Sequence, residues 1–295
     1  MRRSLLFLPG NNPNLLINGD VLGADAVIFD LEDAVAPDEK DAARILVRSV
    51  LCAMDFSSVE VIIRINSIAS DGHWKLDLDE VIPLKPACIL ATKVSDAEYV
   101  RTISACIGEA EARSGITAGT VKIIALIETA IGLENAFSIA AADPRVAGIF
   151  MGAEDLTADL QSARTKSGEE IAYARGRMVA AARAANIEVY DTPFTDINDD
   201  EGIIVDAQLA KNFGFSGKAA ISPRHVAAIN RAFSPTQKEI DYARSVLKAI
   251  EEAKAQGKGA VSLFGKMIDA PIVLRARQTL ALAAAVDGKG RNTNE

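Results

Sequence analysis

Eight short runs rich in Val, Ile, Leu and Phe, none with polar alternation, constrain this chain more than any other feature of it. They cover residues 4–8, 26–29, 61–65, 88–91, 121–127, 146–151, 187–190 and 218–221. A run of this length without alternation reads as a strand covered on both faces, the condition of a parallel sheet with helices packed outside it. Successive runs start roughly 20–40 residues apart, which leaves room for the crossover helix that joins parallel strands.

Helix signals lie between the runs. Pro37 precedes a helical pattern through Arg44 to Val50. Ser95-Asp96-Ala97-Glu98 and Ser167-Gly168-Glu169-Glu170 have the capping-box form, ahead of helices predicted over 99–113 and 171–185. The third unit is the least regular, with a short segment at 77–83. Eight strands alternating with helices predict a (β/α)₈ TIM barrel. The competitor, a doubly wound sheet, carries a Gly-rich phosphate loop after its first strand, whereas this run ends Leu8-Pro9-Gly10-Asn11-Asn12. Past the eighth run, Ser234-Pro235-Thr236-Gln237 starts a helix expected to reach Gly257, 259–267 reads as a loop or short strand, and Asp269-Ala270-Pro271 opens a last helix. The expected organisation is a catalytic barrel over 1–232 and a C-terminal helical extension over 233–295.

Composition narrows the function. With 32 Lys and Arg against 40 Asp and Glu the net charge is −8, and no basic cluster suits nucleic acid. Two histidines and three cysteines, at spacings unlike any zinc pattern, argue against a zinc site. Pro9 and Gly10 stop the first apolar run too early for a signal-peptide core, and no run is long enough to span a bilayer. Together with an odd number of cysteines, this places the expected protein in the cytoplasm.

Nearly every strand-like run ends in a polar residue: Asp30, Glu32 and Asp33; Arg64 and Asn66; Lys93; Glu128; Glu154 and Asp155; Asp191. In a barrel these ends converge on the face where chemistry occurs. Crowded carboxylates repel unless a cation sits among them, and oxygen donors without His or Cys suit a hard ion such as Mg²⁺ or Mn²⁺. Arg64 and Lys93 suit an anionic substrate. The composite is a metal-assisted enzyme acting on a carboxylic acid.

The same residues resemble a known family. Arg3-Ser4-Leu5-Leu6-Phe7-Leu8-Pro9-Gly10, Asp30-Leu31-Glu32-Asp33-Ala34-Val35, Ile63-Arg64-Ile65-Asn66, Ile127-Glu128-Thr129, Met151-Gly152-Ala153-Glu154-Asp155 and Gly265-Lys266-Met267-Ile268-Asp269-Ala270-Pro271 are similar to the citrate lyase beta subunit family, within the wider HpcH/HpaI aldolase group. The similarity runs in order along essentially the whole chain.

The resemblance implies a Mg²⁺-dependent barrel enzyme that cleaves a citryl, malyl or citramalyl thioester by a retro-Claisen reaction. It implies Glu128 and Asp155 as the Mg²⁺ ligands, Arg64 on the substrate carboxylate, and Asp269 as an acid/base that often reaches a neighbouring subunit. It also implies an acyl-carrier protein or CoA as thioester carrier, citrate lyase alpha and gamma subunits as partners, and a homotrimer or hexamer. Each residue has a plainer reading. Glu128 could pair with a surface Lys, Asp155 or Asp269 could cap a helix, and Glu154 could exchange roles with Asp155. Glu32 and Asp33 either orient metal-bound water near the substrate or pair with Arg64 and Lys93. Lys93 is either a Schiff-base nucleophile or an electrostatic stabiliser, and the carboxylates around it favour the second. A non-catalytic scaffold barrel is the remaining alternative, against which intact Glu128, Asp155 and Arg64 speak.

Overall fold

The computed structural model describes residues 1–70, 72–255 and 261–292. All eight runs are strands: β1 (Ser4–Pro9), β2 (Ala26–Asp30), β3 (Glu60–Arg64), β4 (Cys88–Ala91), β5 (Lys122–Ile127), β6 (Val146–Met151), β7 (Glu188–Asp191) and β8 (Gly217–Ala220). Each pairs in parallel with its sequence neighbours, and β8 pairs with β1, so the sheet closes into a barrel in the order β1 to β8. Closure needs Gly217, because a Cβ there would lie 2.0 Å from the Arg2 carbonyl oxygen.

The helices in chain order are α1 (Pro13–Ile17), α2 (Lys40–Ala53), α3 (His73–Val81), α4 (Ala97–Arg113), α5 (Ala130–Glu134), α6 (Ala136–Ala140), α7 (Ala153–Asp159), α8 (Ala172–Ala184), α9 (Asp200–Phe213) and α10 (Pro223–Phe233). The barrel interior is filled by alternate strand residues, among them Leu5, Ile28, Ile62, Leu90, Ile124 and Phe150. Burying each such side chain contributes about 1.5–3 kcal/mol. At the N-terminal end Arg2 plugs the barrel, with salt bridges of 2.6 Å to both Glu60 and Glu188 and a 2.9 Å hydrogen bond to the Tyr190 hydroxyl. That end of a barrel carries stability, so the chemistry is sought at the other.

Two helix starts differ from expectation. Asp96, rather than Ser95, caps α4 by accepting the Tyr99 N–H at 2.9 Å, while the Ser95 hydroxyl donates to Asp96. Before α8 the chain turns at Gly168 (φ +67°), and Glu170 accepts the Thr165 N–H at 3.1 Å, so Ser167 is not the cap. The third unit is more regular than expected, because α3 spans nine residues once Gly72 (φ +83°) turns the chain into it.

The chain divides into Arg2–Arg231, which holds the barrel, and Ala232–Glu295 with Met1. The second unit contains α11 (Gln237–Ala255), the antiparallel pair β9 (Val261–Leu263) and β10 (Lys266–Ile268), and α12 (Ala270–Asn292). Its core is Ala243, Val246, Ile268 and Ala276. A reciprocal capping box opens α11, with Thr236 N–H to Glu239 at 2.6 Å and Glu239 N–H to Thr236 Oγ1 at 3.2 Å. Gly257, the expected end of α11, lies outside the described residues, as do the first two of the expected 259–267 segment. Among the described residues no helix is long and apolar enough to cross a membrane. Cys52, Cys88 and Cys106 are unpaired thiols.

Candidate active site

The register of the barrel sets the site. Asp30 on β2 and Arg64 on β3 are direct partners across the ladder, as are Ile127 on β5 and Met151 on β6. Their neighbours at the C-terminal rim therefore face one cavity of about 300 Å³. Phe7, Leu126 and Phe150 form its apolar floor, and Arg64, Glu128 and Asp155 reach into it. Phe7 packs edge-on against Phe150 at 5.9 Å between centroids, and the Arg64 guanidinium sits 5.1 Å above the Phe7 ring.

The loop after β2 is held from several sides. Asp30 accepts the N–H groups of Glu32 (2.8 Å) and Ala34 (3.2 Å). The Lys40 ammonium donates to the carbonyls of Leu31 (2.9 Å) and Glu32 (2.6 Å). Glu32 is thereby fixed between two cations, 3.2 Å from Arg64 Nη1 and 3.1 Å from Lys93 Nζ. Asp33, more exposed, lies 3.7 Å from Arg64 and 3.9 Å from Lys93. Glu32 and Asp33 thus both pair with Arg64 and Lys93. Burial pushes the Glu32 carboxyl up, and neighbouring Asp33 adds to the rise against Arg64 and Lys93.

Glu128 follows β5 and is 4 % exposed. Lys93 adopts a left-handed backbone (φ +53°), which turns its N–H onto Glu128 Oε1 at 2.8 Å. Burial, reinforced by the charges of Glu32 and Asp155, pushes the Glu128 carboxyl up to about 8 even against that hydrogen bond. A surface ion pair for Glu128 is therefore excluded. Gly152 makes room for it, since a Cβ there would lie 2.6 Å from Glu128 Oε2.

Asp155 sits in the first turn of α7, whose N-cap is Gly152, so helix capping does not occupy it. Its Oδ2 is 3.9 Å from Lys93 Nζ. Glu154 lines the same cavity and pairs with Arg164 at 3.2 Å. Burial pulls Lys93 down, but its hydrogen bond to Glu32 and the surrounding carboxylates raise it overall. An ammonium held protonated is a poor Schiff-base nucleophile and a good electrostatic stabiliser.

Two of the strand-end residues are not part of the site. Asn66 is buried against Asp77 (2.8 Å) and the Leu31 carbonyl (2.9 Å). Asp191 is enclosed by Lys218 at 2.7 Å and Arg175 at 2.9 Å, and Asp206 bridges the same two cations. These charges satisfy one another behind the barrel wall. Asp269, in the second unit, caps α12 by accepting the Ile272 N–H at 3.1 Å. Sequence reasoning places Asp30 only among the strand-end acids and assigns Gly152 no part of its own. A glycine at a strand end signals close approach of a neighbour, and that was the available clue for Gly152.

A cation fits this donor set. The acids are all oxygen donors, and Glu128 is a buried carboxyl whose ionisation is disfavoured by burial and by the neighbouring acids, a penalty that a bound cation would offset. Among the described residues no three acid, His or Cys side chains form a metal-holding group. Two carboxylates with the remaining positions left to water or substrate is the usual Mg²⁺ arrangement, and not that of Zn²⁺.

Residues 3–223 match the family model described as HpcH/HpaI aldolase/citrate lyase. The citrate lyase subunit beta of Leuconostoc mesenteroides subsp. cremoris is 42% identical over 98% of this chain and 97% of its own length. A (3S)-malyl-CoA thioesterase of Cereibacter sphaeroides is 35% identical over 96% of this chain and 95% of its own. Among solved structures, the protein CitE from Mycobacterium tuberculosis, in complex with magnesium, acetoacetate and coenzyme A, superposes with a TM-score of 0.78. It is 28% identical, and the match covers 96% of this chain and 98% of that one.

Proposed function

Because this chain belongs to the HpcH/HpaI aldolase/citrate lyase family, we propose that it is a Mg²⁺-dependent carbon–carbon lyase of the citrate lyase beta type, converting a citryl thioester to oxaloacetate and an acetyl thioester. The observation that carries this reading is the buried Glu128, held by the Lys93 amide in the cavity that Arg64 and Asp155 also line.

Cleavage of a 3-hydroxyacyl thioester needs three things: loss of the hydroxyl proton, charge stabilisation at the nascent ketone, and a place for the carboxylate. Glu128 and Asp155 would hold Mg²⁺, which when bound lowers the pKa of a chelated hydroxyl and polarises the forming carbonyl. Arg64 takes the substrate carboxylate, and Lys93 supplies fixed positive charge nearby. The apolar floor of Phe7, Leu126 and Phe150 keeps that charge in a low-dielectric setting where it counts for more. The hydroxyl proton passes to the acid/base as the C–C bond breaks toward the thioester, and the acid/base returns a proton to the enolate carbon to give the acetyl group. Asp269 is assigned the acid/base role, supplied from a neighbouring copy in a homotrimer or hexamer, on the strength of the resemblance around Gly265-Lys266-Met267-Ile268-Asp269.

The carrier is assigned as acyl-carrier protein, with citrate lyase alpha and gamma subunits as partners, because relatives of that type reach 42% identity against 35% for the malyl-CoA thioesterase. Three unpaired thiols suit the reducing cytoplasm. The test is release of oxaloacetate or glyoxylate from citryl, malyl and citramalyl thioesters, with Mg²⁺ and with EDTA, for wild type and Glu128→Ala. Citryl cleavage that requires both the metal and Glu128 is expected. Metal-independent cleavage would defeat the proposal, and malyl or citramalyl cleavage alone would reassign the acyl group.

A further inference from the structure

We propose that Asp30 is a positioning residue: it locks one edge of the Arg64 guanidinium so that only the opposite end is presented to a substrate carboxylate. The proposal rests on the lyase reading above for its kinetic consequence, though its geometric core does not.

The geometry is a saturated carboxylate. Asp30 is 1 % exposed and stands beside Arg64 in the β2–β3 register. Its Oδ1 accepts Arg64 Nε at 2.6 Å and the Glu32 N–H at 2.8 Å. Its Oδ2 accepts Arg64 Nη2 at 2.5 Å and the Ala34 N–H at 3.2 Å. One side chain thus fixes both the guanidinium and the loop that carries Glu32 and Asp33. A guanidinium gripped bidentately along its Nε edge has its rotation about the last side-chain bonds removed. What remains for a ligand is the Nη1 end, where Glu32 Oε2 now sits at 3.2 Å.

This arrangement works against simple attraction. Asp30 neutralises Arg64, so it weakens the field felt by an incoming anion while fixing the direction from which the anion is held. Such a residue serves orientation at the cost of affinity. Removing it should leave binding intact or tighter and slow the chemical step, since misplacement of a bound group by about 1 Å can cost on the order of 100-fold in rate. A residue that only supported the fold would not separate the two parameters in that sense.

The experiment compares wild type, Asp30→Asn, Arg64→Ala and the double variant on the thioester the wild type cleaves. For Asp30→Asn, kcat is expected to fall roughly 100-fold with KM unchanged or lower. The double variant is expected to lose nothing beyond Arg64→Ala. A kcat within threefold of wild type, or a second full loss in the double variant, would overturn the proposal. Independently of activity, the Arg64 Nε–H resonance, assigned by its absence in Arg64→Lys, is expected to resist solvent exchange in the wild type. If it exchanges as exposed arginines do, the lock does not exist and the proposal fails. If it is protected while no thioester is cleaved, the lyase reading fails and the positioning role stands.

Discussion

Replacing Glu128 by Gln should make the metal-free protein more stable. Gln keeps the shape and an oxygen acceptor for the Lys93 N–H, but it never carries charge. Glu128 has its carboxyl pushed up to about 8 from an ordinary value of 4.5, first by burial and then by Glu32 and Asp155. Below 4.5 the group is protonated in both the folded and the unfolded chain and contributes no difference. Between 4.5 and 8 the unfolded chain releases the proton and the folded one keeps it, so stability is lost as pH rises through this window. At pH 7 the loss is about 3 kcal/mol, from roughly 1.4 kcal/mol for each unit between 4.5 and 7. Glu128→Gln escapes it, which corresponds to a Tm higher by roughly 5–10 °C. The assay is thermal unfolding of both proteins in EDTA at pH 4.5 and pH 7, then at pH 7 with Mg²⁺. The gap should nearly vanish at pH 4.5, and Mg²⁺ should raise the wild-type Tm alone. A variant less stable than wild type at pH 7 in EDTA, or a gap equal at both pH values, would refute the reasoning.

Gly152→Ala places a Cβ 2.6 Å from Glu128 Oε2 without any φ penalty, so Mg²⁺ affinity should fall by about tenfold or more in a calorimetric titration while the fold is kept. Unchanged affinity would remove Glu128 from the ligand set. Lys218→Met leaves Asp191 and Asp206 short of a cation in a buried network, and chemical denaturation should show a loss of about 3–5 kcal/mol. Borohydride added during turnover should leave the protein mass unchanged, because Lys93 is held as an ammonium by Glu32; a mass increase on the Lys93 peptide would restore the Schiff-base alternative. EDTA should abolish cleavage and excess Mg²⁺ restore it, and activity that persists in EDTA would exclude the metal as a participant.

The barrel was legible because strands covered on both faces cannot afford polar alternation, so each run announced itself within a residue or so of its observed ends. Helix starts were less legible. A capping box is a local pattern, and at Ser95 and Ser167 a neighbouring acid or glycine turn took the role instead. Strand-end charge brought Arg64, Glu128 and Asp155 to one cavity, with Lys93 paired to Glu32 beside it, but it misplaced Asn66 and Asp191, which turn away to partners on the helices. Lys218 inside an apolar run was the hint that a buried ion network required acids of its own. The needs of Gly152 and Asp30 depend on what lies across the sheet, Glu128 in one case and Arg64 in the other. No window of sequence contains both members of either pair.

The pairing of β8 with β1 has a consequence for how the chain is made. Ser4 waits for Lys218 before the hydrogen-bonding edge of β1 is covered. At about 5–20 residues per second, the interval on the ribosome is roughly 10–40 s. Throughout it the nascent sheet is an open ribbon with an apolar first strand at its border, the form most prone to pairing with other chains. Gly217, whose lack of a side chain admits the Arg2 carbonyl, lets the last strand slot in when it emerges. Variants at that glycine should therefore first show themselves in the yield of folded protein during synthesis, before any effect on catalysis is measured.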